Sequence, residues 1–114
     1  MKAIYSDRAK QDPEYPRLVY ATSVLADVLN SPTGPALRSP GDDAEVQWDV
    51  SENAAEGVRY LVRLKNWMSS TRAELKPDDV TDVHSLRFRM IQLCSNILRE
   101  YTHQLLGITS PAGV

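Results

Sequence analysis

The chain contains very little cysteine, and its apolar residues occur only in short runs. Cys94 is the single cysteine, so no disulfide can form within the chain and a four-cysteine zinc site is excluded. No apolar run approaches the roughly 20 residues that span a bilayer, and the first residues lack the apolar core of a secretory signal. These absences predict a cytoplasmic protein that folds without disulfides.

Length and charge limit the number of domains and the kind of binding partner. The 114 residues suffice for one domain, 1–114, with an ordinary share of hydrophobic residues. Residues 1–57 carry five Lys and Arg against ten Asp and Glu, whereas residues 58–114 carry eight against five. This asymmetry favours contact between the two halves or between subunits over nucleic-acid binding, which usually accompanies a basic total.

The first half contains one helix pattern between two irregular segments. Apolar residues between Leu18 and Leu29 recur at helical spacing and predict a first helix from Pro16 to Asn30. Residues 1–12 show no period and are predicted to form a flexible arm. Residues 31–50 are predicted to form a long loop because their first part is rich in proline and glycine, although Val46–Val50 alternates like a short strand.

The second half predicts two helices joined by a very short connection. Ser51 is a suitable N-cap for a second helix from Glu52 to about Glu74. Pro77 suits the first position of a third helix, 77–106, and Gly107 suits the position after its end, which leaves 107–114 as a C-terminal tail. So short a connection predicts an antiparallel hairpin of the second and third helices.

These patterns predict an all-α fold, a small bundle of three main helices. The third helix carries a wide apolar arc, which includes Leu86, Met90 and Ile97, and the second helix is also broadly apolar. Together they offer more apolar surface than the first helix can cover. We therefore predict that a homodimer completes the bundle.

No arrangement of residues typical of a catalytic, metal or cofactor site is found. Cys94 lies in the predicted apolar arc, and His84 and His103 are about 15 Å and 13 Å away along the same helix, so a core cysteine is predicted. Glu100 and His103 have the Glu-x-x-His spacing of a diiron helix, but the pattern occurs once and on a polar face. The sequence lacks a glycine-rich phosphate loop.

Two short stretches resemble motifs of helical enzymes. Arg99 and His103, four residues apart, are similar to the Arg and His pair of HEPN-type helical ribonucleases, which have four to six residues between the two where this chain has three. His84-Ser85-Leu86-Arg87 resembles the His-x-Leu-Lys stretch of histidine phosphotransfer domains, with Phe88 where that family has glycine. These resemblances imply ribonuclease or phosphotransfer chemistry at His103 or His84.

Cations and aromatic residues of the predicted second helix are the candidate binding residues. Lys65 and Arg72 lie within its apolar arc, as Arg87 does on the third helix, and buried cations need acidic partners. Either their long side chains reach solvent at the ends of the bundle, or the acidic first half pairs with them through residues such as Asp49 or Glu45, or they meet an acidic surface of another protein. A strip of aromatic and arginine residues at the edge of the arc is typical of interface hot spots. The candidate partner contacts are Trp67, Arg63, Tyr60, Arg59, Lys65 and Arg72.

The function predicted from the sequence is non-catalytic. We expect a homo-oligomeric protein–protein interaction protein, such as a regulatory or inhibitory subunit, an adaptor or an assembly factor, which binds itself and another protein and needs no metal or cofactor. The alternative is a nucleic-acid-binding helical module that uses Arg59, Arg63, Arg89 and Arg99. A further alternative is a phosphotransfer or HEPN-like enzyme that uses His84 or His103.

Overall fold

The computed structural model shows an α/β fold and not an all-α bundle. It describes residues 1–29, 44–66 and 70–109, with only the helix backbone over 101–109. In chain order the elements are β1 (Lys2–Tyr5), α1 (Asp7–Gln11), α2 (Tyr15–Leu29), β2 (Glu45–Asn53), β3 (Gly57–Lys65), β4 (Ser70–Leu75), α3 (Pro77–Thr81) and α4 (Val83–Thr109). The four strands form one sheet in the order β1-β2-β3-β4.

The predicted second helix does not exist, because its residues form the end of β2, all of β3 and most of β4. β2 and β3 pair antiparallel from Glu45 opposite Lys65 to Asn53 opposite Gly57, and β3 pairs antiparallel with β4. Gly57 has φ +76°, a left-handed conformation that glycine adopts without the steric cost of a side chain, and it allows the tight turn between β2 and β3. The predicted helical hairpin and all-α bundle were therefore wrong.

The N-terminal residues are part of the fold, where the sequence predicted a flexible arm. β1 pairs parallel with β2, from Lys2 opposite Glu45 to Tyr5 opposite Trp48. Ser6 caps α1, because its hydroxyl oxygen accepts a 3.1 Å hydrogen bond from the Ala9 backbone N–H. Residues 45–50 of the predicted loop also belong to the sheet, and residues 30–43 lie outside the described part of the chain.

Both long helices pack on the same face of the sheet. On β3 the side chains of Tyr60, Val62 and Leu64 are buried, and the residues between them are not, which is the two-residue period of a strand with one covered face. The core joins this face to α2 and α4. It contains Ala9, Leu18, Ala21, Leu25, Leu29, Ala44, Val46, Trp48, Val50, Tyr60, Val62, Leu64, Leu75, Val80, Leu86, Met90, Leu93, Cys94 and Ile97.

Thr22 of α2 connects the helix layer to two strands by hydrogen bonds. Its hydroxyl donates to the Leu18 carbonyl at 3.0 Å and accepts from Trp48 Nε1 at 2.9 Å. The Tyr5 hydroxyl lies 2.9 Å from the same oxygen and is the donor, since the Thr22 proton is already engaged. This arrangement fixes the position of β1 and β2 under α2.

The predicted third helix is two helices with a break at Asp82. This residue is extended, with φ -91° and ψ 113°, and its carboxylate accepts a 3.0 Å hydrogen bond from the His84 backbone N–H at the start of α4. Asp82 therefore acts as an N-cap within what the sequence pattern presented as one helix. α4 runs to Thr109, through Gly107, where the sequence predicted a helix end; residues 110–114 lie outside the described part.

Candidate functional site

The sheet has one face covered by helices and one face on which no helix of the described residues packs. Side chains of the strands that alternate with the core residues point away from α2 and α4, and we call this surface the open face. Its residues are Lys2, Ile4, Glu45, Gln47, Asp49, Ser51, Arg59, Leu61, Arg63, Lys65, Ser70, Arg72 and Glu74. Among the described residues, only strand residues and Ser6 line the central depression of this face.

Strand register arranges the middle of the open face into two rows across the strands. Ile4, Gln47, Arg63 and Arg72 are successive partners on β1 to β4, and we call them the arginine row. Asp49, Leu61 and Glu74 are partners on β2 to β4, each two residues away from the member of the arginine row on the same strand. We call them the acidic row. The two rows carry opposite charges and lie about 7 Å apart.

A depression of about 680 Å³ lies over these two rows. Ile4 and Leu61 give it apolar surface, and Gln47, Arg63, Arg72, Asp49 and Glu74 give it polar groups of both signs. Ile4 is 39% exposed, which is high for an isoleucine of a sheet. An apolar centre with charged residues around it is typical of a surface that binds another molecule.

Two cations of the open face already have carboxylate partners. Lys65 Nζ lies 3.2 Å from Glu45 Oε2, and Arg59 Nε lies 3.7 Å from Glu74 Oε1. Gln47 also donates to Glu45 at 2.8 Å. The hydrogen bond from Lys65, followed by that from Gln47, lowers the pKa of the Glu45 carboxyl. The acidic half of the chain therefore supplies a partner for Lys65, which is one of the possibilities that the sequence left open.

The two cations of the arginine row have no carboxylate partner in the described part of the chain. Arg63 Nε donates to the Ser70 hydroxyl at 3.2 Å, and Arg72 makes no hydrogen bond or ion pair with a described residue. Both are exposed and directly opposite each other on β3 and β4. Like charges opposite each other destabilise a sheet. A negatively charged group placed over this pair would remove that cost.

The structure places the sequence-predicted site residues differently from the helical interpretation. Arg59, Arg63, Lys65 and Arg72 share the open face, so Lys65 and Arg72 do not lie in a buried apolar arc. Tyr60 is on the opposite side, 4% exposed, and donates its hydroxyl to Asp12 Oδ1 at 2.8 Å. Burial and the neighbouring Asp12 carboxylate raise the pKa of the Tyr60 phenol. Trp67 lies outside the described residues.

The arginines of the nucleic-acid alternative do not share one surface. Arg89 and Arg99 lie on α4, away from Arg59 and Arg63, and they contact Asp79 at 3.7 Å and Asn96 at 2.9 Å respectively. His84 is exposed in the first turn of α4, and Arg87 is exposed beside it and not buried. The side chain of His103 lies outside the described part of the chain.

Cys94 is a core residue, as the sequence predicted. Its side chain is fully buried, and the thiol lies 3.9 Å from the Leu25 carbonyl of α2. Burial raises the pKa of the Cys94 thiol to about 12. Since the thiolate is the nucleophile, this cysteine is unsuited to nucleophilic catalysis at neutral pH.

We expect Cys94 of the folded protein to resist alkylation at pH 8. Iodoacetamide reacts with the thiolate, which a buried thiol with a pKa of about 12 hardly forms at that pH. Intact-mass spectrometry over time measures the reaction, and the same protein in guanidinium chloride is the control that should react completely. Equal rates in both solutions would contradict the burial of Cys94.

The described residues hold no cluster of His, Cys, Asp and Glu that could bind a metal ion. In the same part of the chain, no helix has the length and apolar character needed to cross a membrane. No family model, no curated protein and no solved structure matches the chain significantly.

Proposed function

We propose that the protein is a non-catalytic protein–protein interaction protein whose binding surface is the open face. The observation that supports this proposal is the sheet face that no described helix covers, where Ile4 and Leu61 lie in a depression between charged side chains. A regulatory subunit, an adaptor or an assembly factor would use such a surface. A location in the cytoplasm belongs to the proposal, and the single unpaired cysteine supports it.

The composition of the open face favours a protein partner. Protein interfaces combine an apolar centre with arginine and a polar rim, as here with Leu61 at the centre and Arg63 and Arg72 next to it. A nucleic-acid surface would instead present mainly cations to the phosphates. On the open face Glu45 and Glu74 neutralise Lys65 and Arg59, and Asp49 adds a third carboxylate.

Selection from a random peptide library displayed on phage tests this proposal, because such a library samples many combinations of apolar and charged residues at once. The protein is immobilised so sparsely that neighbouring copies cannot meet. Wild type and the variants Leu61→Glu and Val19→Glu are compared. Both variants place a carboxylate at an accessible apolar residue, but Leu61 lies on the open face and Val19 on α2, where it is 44% exposed.

We expect wild type to enrich peptides that combine apolar and charged residues. These peptides should bind Val19→Glu equally well and lose about tenfold or more in affinity for Leu61→Glu. Circular dichroism confirms that both variants are folded. Peptides that bind Leu61→Glu as tightly as wild type would show that the binding surface lies elsewhere and would contradict the proposal.

Nucleic-acid binding stays the alternative, because Arg59, Arg63, Lys65 and Arg72 lie on two adjacent strands of one face. An affinity for duplex or single-stranded oligonucleotides that falls steeply with added salt would favour it. An unchanged signal in Arg63→Gln and Arg72→Gln would exclude the open face as its site.

A further inference from the structure

We infer that the open face is a two-fold interface, and that the protein it binds is a second copy of this chain. This inference rests on the proposed function, since it names the partner of the same surface. It is argued from the charges of the two rows. A face in which a positive row lies beside a negative row is complementary to itself.

The symmetry that brings the rows together follows from the sheet. Two copies can face each other through their open faces, related by a two-fold axis that runs perpendicular to the strands. If this axis lies midway between the two rows, it places the arginine row of each copy over the acidic row of the other. Each strand then faces its own counterpart in the opposite direction. On β4, Arg72 faces Glu74 of the second copy, and on β2, Gln47 faces Asp49 of the second copy.

The central strand completes the contact. On β3, Arg63 faces Leu61 of the second copy, where the aliphatic part of the arginine can cover the leucine while its guanidinium reaches the carboxylates on either side. Facing sheets pack about 10 Å apart and are rotated by about 30°, and the long arginine side chains can span the resulting offset. The opposed arginines, which have no carboxylate partner among the described residues, thus gain carboxylates from two directions.

The size of the face indicates how strongly such a dimer would associate. The four strands lie about 4.8 Å apart and average about 23 Å in length, which gives each face roughly 450 Å², so two copies bury on the order of 900 Å². This area is at the lower end for specific complexes. We therefore expect a dimer at micromolar concentrations that dissociates on dilution.

A charge exchange between Arg72 and Glu74 tests the symmetry directly. In Arg72→Glu, carboxylates would face each other at both symmetry-related contacts of β4 with β4, and in Glu74→Arg, guanidinium groups would do so. We expect each variant alone to weaken the dimer by about tenfold or more. In an equimolar mixture, Glu at position 72 faces Arg at position 74 and the native Arg72 faces the native Glu74, so a heterodimer should form with nearly wild-type affinity.

Sedimentation velocity over a concentration series measures these equilibria. Arg87→Glu is the matched control, because Arg87 is exposed on α4, outside the open face, and its reversal should leave the dimer unchanged. Glu74 is 55% exposed and lies as far as 3.7 Å from Arg59, so loss of this ion pair should leave the fold intact, which thermal melts of each variant verify.

A wild-type protein that stays monomeric at hundreds of micromolar would overturn the inference. So would single variants that dimerise like wild type, or a mixture that does not restore association. None of these results would affect the proposed function if peptides selected by the wild-type open face still depend on Leu61. If the peptides do not depend on Leu61 and Leu61→Glu also dimerises like wild type, both proposals are contradicted, since association would then use another surface.

Discussion

Replacing Trp48 by alanine is expected to lower the free energy of unfolding by about 3–5 kcal/mol. The side chain is only 2% exposed and belongs to the core between the sheet and the helices. Its Nε1 also donates a 2.9 Å hydrogen bond to Thr22. Alanine would therefore leave a large cavity and remove a contact between β2 and α2.

Urea denaturation followed by circular dichroism measures this loss. Trp48→Phe is the control, because it keeps most of the buried volume and removes the hydrogen-bond donor, and we expect it to cost about 1–2 kcal/mol. A loss below about 1 kcal/mol in Trp48→Ala would mean that this side chain is not part of the core.

Truncation of the buried side of α4 is expected to have the second largest effect. Met90 and Ile97 are fully buried, so Met90→Ala and Ile97→Ala should each cost about 2–5 kcal/mol of the free energy of unfolding. Phe88 is an exposed apolar residue of the same helix, at 63% exposure, and Phe88→Ala should change stability by less than about 0.5 kcal/mol.

The same urea experiment compares the three α4 variants. Equal losses in Ile97→Ala and Phe88→Ala would contradict the orientation of the helix. If Phe88→Ala alone were strongly destabilising, the covered face of α4 would have to be the opposite one.

Helix α2 and the buried face of α4 could be predicted from the sequence because helical spacing is a local property. The predicted first helix, 16–30, differs from Tyr15–Leu29 by one residue at each end, and its apolar residues Leu18 and Leu25 are buried. Leu86, Met90 and Ile97, which the sequence placed in the apolar arc of the predicted third helix, are all in the core. A helix satisfies its own backbone hydrogen bonds, so its pattern is complete within one segment.

The sheet was missed because strands depend on partners distant in sequence. Val58, Tyr60, Val62 and Leu64 alternate as in a strand. On a helical wheel, however, Val58, Val62 and Leu64 also fall into a broad arc with Leu61, and Tyr60 lies at its edge. Whether this segment forms a strand or a helix depends on whether β2 and β4 are available to pair with it. This context outweighs the intrinsic strand propensity of its residues. Val46–Val50 alternated visibly, but its partner was hidden in the wrongly predicted helix.

The sequence by itself determined the two main helices, the buried cysteine and the candidate arginines. Only the tertiary structure decided which charges share a surface. Arg63 and Arg72 are nine positions apart and become neighbours because β3 and β4 pair in one particular register. A shift of that register by one residue would turn Arg72 toward the core, so the rows of the open face arise from pairing between strands, which no local pattern contains.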